Sequence, residues 1–305
     1  MIDAIELGAT LYIPASRADL PKILGGHYPE LRSAVLCLED SIGGAEVPLA
    51  LANLARLLSS EALAGDAALR PALFVRPRDE AMLAHILTFE GVERLAGFVI
   101  PKATADRMPS YLRCLAHDHH VLMPTLETGE VLDGAEMRRL RDQLLSVQAR
   151  ILAIRIGGND LLQSIGARRS AVRTAYDGPL GGIITSLIGA FAPYGFALSA
   201  PVFEHFTNDA LLREEVERDL EHGLLTKTAI HPRQIGPIQA AYKVQADELI
   251  EAQAIVRRGA RAVFASRGSM CERETHKRWA TSILRRADSF GVDQSGPRIR
   301  SVKGG

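Results

Sequence analysis

A single (β/α)8 barrel with a helical extension at its carboxyl end is the fold that this 305-residue sequence predicts, on three observations. Short apolar runs bounded by Pro, Gly or acidic residues alternate with longer stretches of helically spaced Leu and Ala, the pattern of βα units. There are eight such runs. No linker divides the chain into two compositional halves, so one barrel explains the order better than two domains.

The predicted strands run from Thr10 to Pro14, Ala34 to Leu38, Ala72 to Arg76, Gly97 to Pro101, Val121 to Leu126, Ile151 to Ile156, Phe196 to Ala200 and Lys227 to Ile230. Between them, the Leu- and Ala-rich stretch from Glu46 to Leu58 reads as a helix. Another runs from Asp209 to His222, opening after Thr207 and Asn208 and stopping at Gly223. Pro232 is placed to open the next helix. Beyond the eighth strand come a predicted helix from Val244 to Arg258, a glycine-containing segment from Ser266 to Met270 and a helix from Lys277 to Asp288. The domain reading is a barrel over 1–260, a lid or helical extension over 261–292 and a flexible tail over 293–305.

Composition narrows the function classes. Hydrophobic residues make up 47% and charged residues 24%, the proportions of a globular chain with an ample core. Lys plus Arg and Asp plus Glu both total 36, which removes the global electrostatic argument for a nucleic-acid or anionic-membrane partner. A small-molecule carboxylate is the expected partner. Cys37, Cys114 and Cys271 are odd in number and widely spaced, which fits a reducing cytoplasm. Asp3 and Glu6 stand where a signal peptide would be basic, and no apolar run reaches spanning length.

In a barrel of this type the catalytic groups sit at the carboxyl ends of strands. Glu127 follows Pro124-Thr125-Leu126, and Asp160 follows Gly157-Gly158-Asn159, so both come from adjacent strands. Two carboxylates with open positions suit Mg²⁺ or Mn²⁺ better than zinc. The structural alternative is that each caps or pairs with its own helix. Arg76, in Phe74-Val75-Arg76-Pro77, carries a fork that binds a carboxylate or enolate oxygen, or else an ion pair with Glu39 or Asp40. Glu39 and Asp40 end the second strand, and sequence does not separate their roles. Lys102 raises a Schiff-base route, ranked second to the metal, against the plainer role of neutralising the acidic cluster. Gly157 and Gly158 admit substrate to the backbone, where N–H groups before the next helix can bind a carboxylate. His205 and His231 read as packing residues first and proton carriers second. The run from Ser164 to Ala175, with Arg168, Arg169 and Arg173, reads as a solvated helix face or a phosphate site.

This ordered set of motifs resembles the citrate lyase beta-subunit-like branch of the HpcH/HpaI aldolase superfamily. The resembling pieces are Leu11-Tyr12-Ile13-Pro14-Ala15 with Arg17, Leu38-Glu39-Asp40-Ser41, Val75-Arg76, Ile100-Pro101-Lys102, Leu126-Glu127-Thr128, Gly158-Asn159-Asp160-Leu161 and Ala229-Ile230-His231-Pro232. The resemblance implies a TIM-barrel, Mg²⁺-dependent carbon–carbon lyase. In it Glu127 and Asp160 hold the metal and Arg76 stabilises an enolate; beside them Glu39, Asp40 and Lys102 are the expected catalytic residues, and Arg17, Gly157, Gly158 and Asn159 the expected substrate-binding ones. It further implies hydroxy or oxo acid substrates, some as coenzyme A thioesters, and assembly as a homo-oligomer, trimer or hexamer.

Gly268-Ser269-Met270-Cys271-Glu272 resembles the lid pattern of that family and makes Glu272 a candidate acid or base. Two departures bear on substrate: the seventh strand leads into Pro201-Val202-Phe203-Glu204 where relatives have Asp-Gly-Pro, and Asn159 stands where relatives carry Glu. Citrate itself is therefore not the expected substrate. The alternatives are a barrel that binds ligand without turnover, and a thioester hydrolase or synthase on the same site.

Overall fold

The computed structural model describes residues 2–63, 70–115 and 119–293. Eight parallel strands lie in the order β7-β6-β5-β4-β3-β2-β1-β8. They are β1 (Ala9–Pro14), β2 (Ser33–Cys37), β3 (Ala72–Arg76), β4 (Gly97–Ile100), β5 (Val121–Leu126), β6 (Ile154–Ile156), β7 (Leu198–Ser199) and β8 (Lys227–Ala229). A parallel bridge between Ala200 and Lys227 joins the two ends of the row, so the sheet closes into the barrel that the sequence predicts.

The sequence is apolar along β2 to β5 because both faces of these strands are covered. Alternate residues point into the barrel. Val35, Phe74, Val99 and Met123 pack there with Leu7, Val121 and Ala153. Arg76 lies two residues beyond Phe74, and Glu127 four beyond Met123. The even spacing that buries an apolar layer below thus carries two charged groups inward at the carboxyl end above it.

β6 and β7 are shorter than their apolar runs predict. Ile151 pairs with Leu122 through an isolated bridge only, the β5–β6 ladder resumes at Thr125 and Arg155, and on the β7 side the Ile154 N–H donates to Ala197 O at 2.8 Å. The helices Val47–Leu58 and Asp209–Glu221 form where helical spacing places them, the second capped by Asn208, whose side chain accepts from the Leu211 N–H at 3.1 Å. Pro232 opens a 3-10 turn, Pro232–Gln234. In the arginine-rich stretch Arg168 and Arg173 are exposed as the sequence suggests, but the helix and Arg169 depart from that reading. The helix Gly158–Ser164 stops before Gly166, whose φ of +70° is a left-handed helix stop, and Arg169 is buried in the irregular segment that follows.

The chain falls into two units, Met1–Ile238 and Gln239–Gly305. In the second, helices Ala246–Val256 and Arg273–Phe290 bury Ala252, Ile255, Ala280 and Ile283 together with Val244 and Cys271. The glycine-containing segment is the turn of an antiparallel hairpin, Val263–Ser266 with Ser269–Glu272. Asp293, expected to begin a tail, pairs with Gln245, and the rest of that tail lies outside the described residues. Among the described residues no helix is long and apolar enough to cross a membrane.

Candidate active site

Five neighbouring strand ends, β2 to β6, bring one charged cluster together. From β3, Arg76 Nη2 reaches Glu127 Oε1 at 2.6 Å, Glu39 Oε2 at 3.0 Å and Asp40 Oδ2 at 3.4 Å. From β4, the Lys102 ammonium pairs with Glu39 and lies 3.5 Å from Asp40 Oδ1. The Lys102 backbone is left-handed at φ +48°, which turns its N–H onto Glu127 Oε1 at 2.8 Å. A non-glycine residue in that region costs about 1–2 kcal/mol, and such strain concentrates at functional sites. Of the two roles expected for Arg76, the structure shows the ion pair, with Glu39 and Asp40 and with Glu127 as well.

Glu127 is nearly inaccessible, and Gly157 lies directly against it. A Cβ at 157 would stand 2.6 Å from Glu127 Oε2, so only glycine fits between β5 and β6 here. Burial is the main force on the Glu127 carboxyl and pushes it up to about 7; Arg76 and the Lys102 N–H oppose this, while the charges of Asp160 and Glu39 add to it. Burial also raises Asp160, reinforced by Asp40 and opposed by Arg76 and Lys102. Glu39 is raised by burial too, whereas Asp40, more exposed, is drawn below the ordinary range by Glu39, Arg76 and Lys102 in spite of burial. Burial works against the Lys102 and Arg76 charges, and the surrounding carboxylates outweigh it, holding both above their usual values.

The cluster therefore holds four carboxylates, Glu39, Asp40, Glu127 and Asp160, against two cations, Arg76 and Lys102. With all four ionised two negative charges would remain, and burial opposes that by raising Glu127, Asp160 and Glu39. Burial raises both Glu127 and Asp160, the charge of Asp160 adds to the rise at Glu127, and oxygen donors of this kind suit a hard divalent cation. Among the described residues no three His, Cys, Asp or Glu side chains are grouped to hold a metal.

The other sequence candidates are placed as follows. Gly157 donates its N–H to Leu126 O at 2.9 Å, and Gly158 and Asn159 open the helix that carries Asp160. Arg17 is turned to Asp19, with Nη2 at 2.6 Å from Oδ2, and is half exposed. Glu272 belongs to the second unit, where its carboxylate accepts from the Thr275 hydroxyl at 2.9 Å and its N–H donates to His276 Nδ1 at 2.9 Å. His231 caps its turn by accepting from the Arg233 N–H at 3.2 Å and stacks on Phe206 at 4.7 Å.

Two residues escaped sequence reasoning. Arg78 donates to Leu38 O at 2.8 Å and Ile42 O at 2.6 Å, which fixes the loop bearing Glu39 and Asp40. Arg155, 1% exposed, crosses the barrel interior to Thr228 Oγ1 at 2.8 Å and lies over the Tyr12 ring at 5.2 Å. Its signal was a charge set between Ile154 and Ile156 in a buried strand.

Residues 1–292 match the family model described as C-C bond lyase of the TIM-barrel fold. Among solved structures, CitE from Mycobacterium tuberculosis in complex with magnesium, acetoacetate and coenzyme A is 21% identical with a TM-score of 0.69, over 93% of this chain and 99% of that one. RipC from Yersinia pestis is 21% identical with a TM-score of 0.61, over 81% and 100%. Citrate lyase beta subunit complexed with oxaloacetate and magnesium, from M. tuberculosis, is 20% identical with a TM-score of 0.57, over 79% and 99%. At these identities the likeness is one of fold. No curated protein matches the chain.

Proposed function

The chain belongs to the family of C–C bond lyases of the TIM-barrel fold, and from that membership we propose a reaction for its strand-end cluster. The protein makes or breaks a carbon–carbon bond beside a carbonyl, in a small hydroxy or oxo acid or its coenzyme A thioester. Glu127 and Asp160 hold Mg²⁺, or Mn²⁺ in its place. The observation that carries this reading is the set of four carboxylates against two cations at neighbouring strand ends, in which Glu127 feels the charge of Asp160. Magnesium beside acetoacetate or oxaloacetate in the structural relatives supports it.

A bound Mg²⁺ supplies a Lewis acid to the substrate's carbonyl oxygen and fixes its orientation. This chain's residues do the rest. Breaking the bond next to the carbonyl leaves negative charge on that oxygen, and Arg76 is the cation set to receive it. Arg76 holds its three carboxylates through Nη2 alone, which places the guanidinium at the head of the cluster. Glu39 and Asp40 orient Arg76 and Lys102. The imine route loses ground, because an imine needs a neutral amine and the carboxylates keep Lys102 charged.

The test is metal-dependent release of pyruvate or an acyl-CoA product across a panel of hydroxy and oxo acids and their thioesters. Product is expected with Mg²⁺ and is expected to vanish in Glu127→Ala and Asp160→Ala. Turnover that survives both substitutions overturns the metal reading. Tight ligand binding with no product moves the protein to a binding role.

A further inference from the structure

Asp160 sits in the first turn of a seven-residue helix, Gly158–Ser164, too short to hold its own orientation. Its neighbours are held by the segment after β7, residues 200–206. Gly158 packs so tightly there that an added Cβ would stand 2.8 Å from Pro201 Cβ and 2.9 Å from Leu180 Cδ2. Asn159 Nδ2 donates to Glu204 Oε2 at 3.3 Å, while Glu204 Oε1 lies 3.7 Å from both Arg168 Nε and His205 Nε2.

That segment is in turn held from behind. Arg169 donates through Nη1 to Val202 O at 3.1 Å and pairs through Nη2 with Glu215. Glu215 and Asp219 hold Lys227 Nζ at 3.0 and 2.8 Å, and the Tyr176 hydroxyl donates to Asp219 Oδ1 at 2.6 Å. Arg169, Glu215, Asp219 and Lys227 are all buried. The lyase chemistry proposed above uses none of them.

We propose that the segment 200–206 is the positioning element for Asp160, with Glu204 acting through Asn159 and Arg169 acting through Val202. This rests on the reading that Asp160 holds the metal. Groups that orient a ligating carboxylate from behind are worth about 10-fold or more in metal affinity. Arg169 separates positioning from mere folding, because its fork serves two partners at once. A lysine there keeps a charge for Glu215 and gives up the bond to Val202.

The experiment is direct binding of Mn²⁺ to the full-length protein, followed by its electron paramagnetic resonance signal, with melting temperature measured in parallel. The proteins are wild type, Asp160→Ala, Glu204→Ala, Arg169→Lys and Arg169→Met. Asp160→Ala is expected to lose binding. Glu204→Ala and Arg169→Lys are expected to weaken it by about 10-fold while melting close to wild type. If Arg169→Met does not fold, those two still decide. Wild-type Mn²⁺ affinity in Glu204→Ala and Arg169→Lys, with binding lost in Asp160→Ala, overturns the positioning proposal and leaves the metal reading standing. Unchanged binding in Asp160→Ala overturns both.

Discussion

Two charged clusters lie in the barrel unit, and they are built to opposite rules. Behind β8, Lys227 and Arg169 meet Glu215 and Asp219, two cations against two carboxylates, all buried and linked in a row by three ion pairs. At the strand ends, Arg76 and Lys102 stand among four carboxylates, and burial raises both Glu127 and Asp160. The first cluster is closed and neutral, which is how a fold makes buried charge tolerable. The second is open and carries an excess, which is how a site prepares for a cation. Buried charge alone does not mark a function; its imbalance does.

Breaking the balanced cluster should produce the largest effect. Lys227→Met leaves two buried carboxylates with Arg169 as their remaining cation and is expected to cost about 3–5 kcal/mol in chemical denaturation. A loss below about 1 kcal/mol would mean that the cluster is not closed in the way described. Next comes Arg76→Lys, in which a point charge replaces the fork. It should lower kcat about 10²–10³-fold, roughly 2.7–4 kcal/mol, with little change in fold by circular dichroism.

Glu127 gives a pH test with a definite sign. In metal-free protein its carboxyl stands at about 7, against about 4.3 in the unfolded chain. Between those values the folded chain keeps a proton that the unfolded chain has already released. The contribution to stability is therefore full below the unfolded value and lost as pH rises through about 7, up to roughly 3 kcal/mol. It is read as the difference between wild type and Glu127→Gln in chelator, which should fall across that window and flatten above it. A difference that rises with pH would contradict the assignment. The smallest effect belongs to Asp160→Asn. Removing one of the excess charges should stabilise metal-free protein by on the order of 0.5 kcal/mol once solvent screening is allowed for, while metal-dependent turnover is lost.

The barrel and most of the cluster were legible because they depend on short-range pattern. Phe74-Val75-Arg76-Pro77 shows an apolar strand ending in a charge, and β3 and β5 begin and end on the predicted residues. The same pattern was silent on pairing. Asn159 meets Glu204, and Arg169 meets Glu215, across more than forty residues, and neither link has a local signature. Arg169 looked solvated because it stands in a charge run, while Gly166 had already ended the helix that would have exposed it. The shortness of β6 and β7 was hidden for a related reason: their apolar runs continue past the ladder into bridges that only the neighbouring strand defines. Arg17 carries the right motif, but its geometry is set by Asp19 two residues away.

The most direct measurement is a crystal structure of the protein soaked with Mg²⁺ and oxalate, a planar mimic of an enolate. The expected result is one ion about 2.1 Å from oxygens of both Glu127 and Asp160, with oxalate completing its coordination and within reach of Arg76. An ion bound at any other residues, or oxalate seated with Arg76 still closed on Glu127 and no metal between the carboxylates, would contradict it.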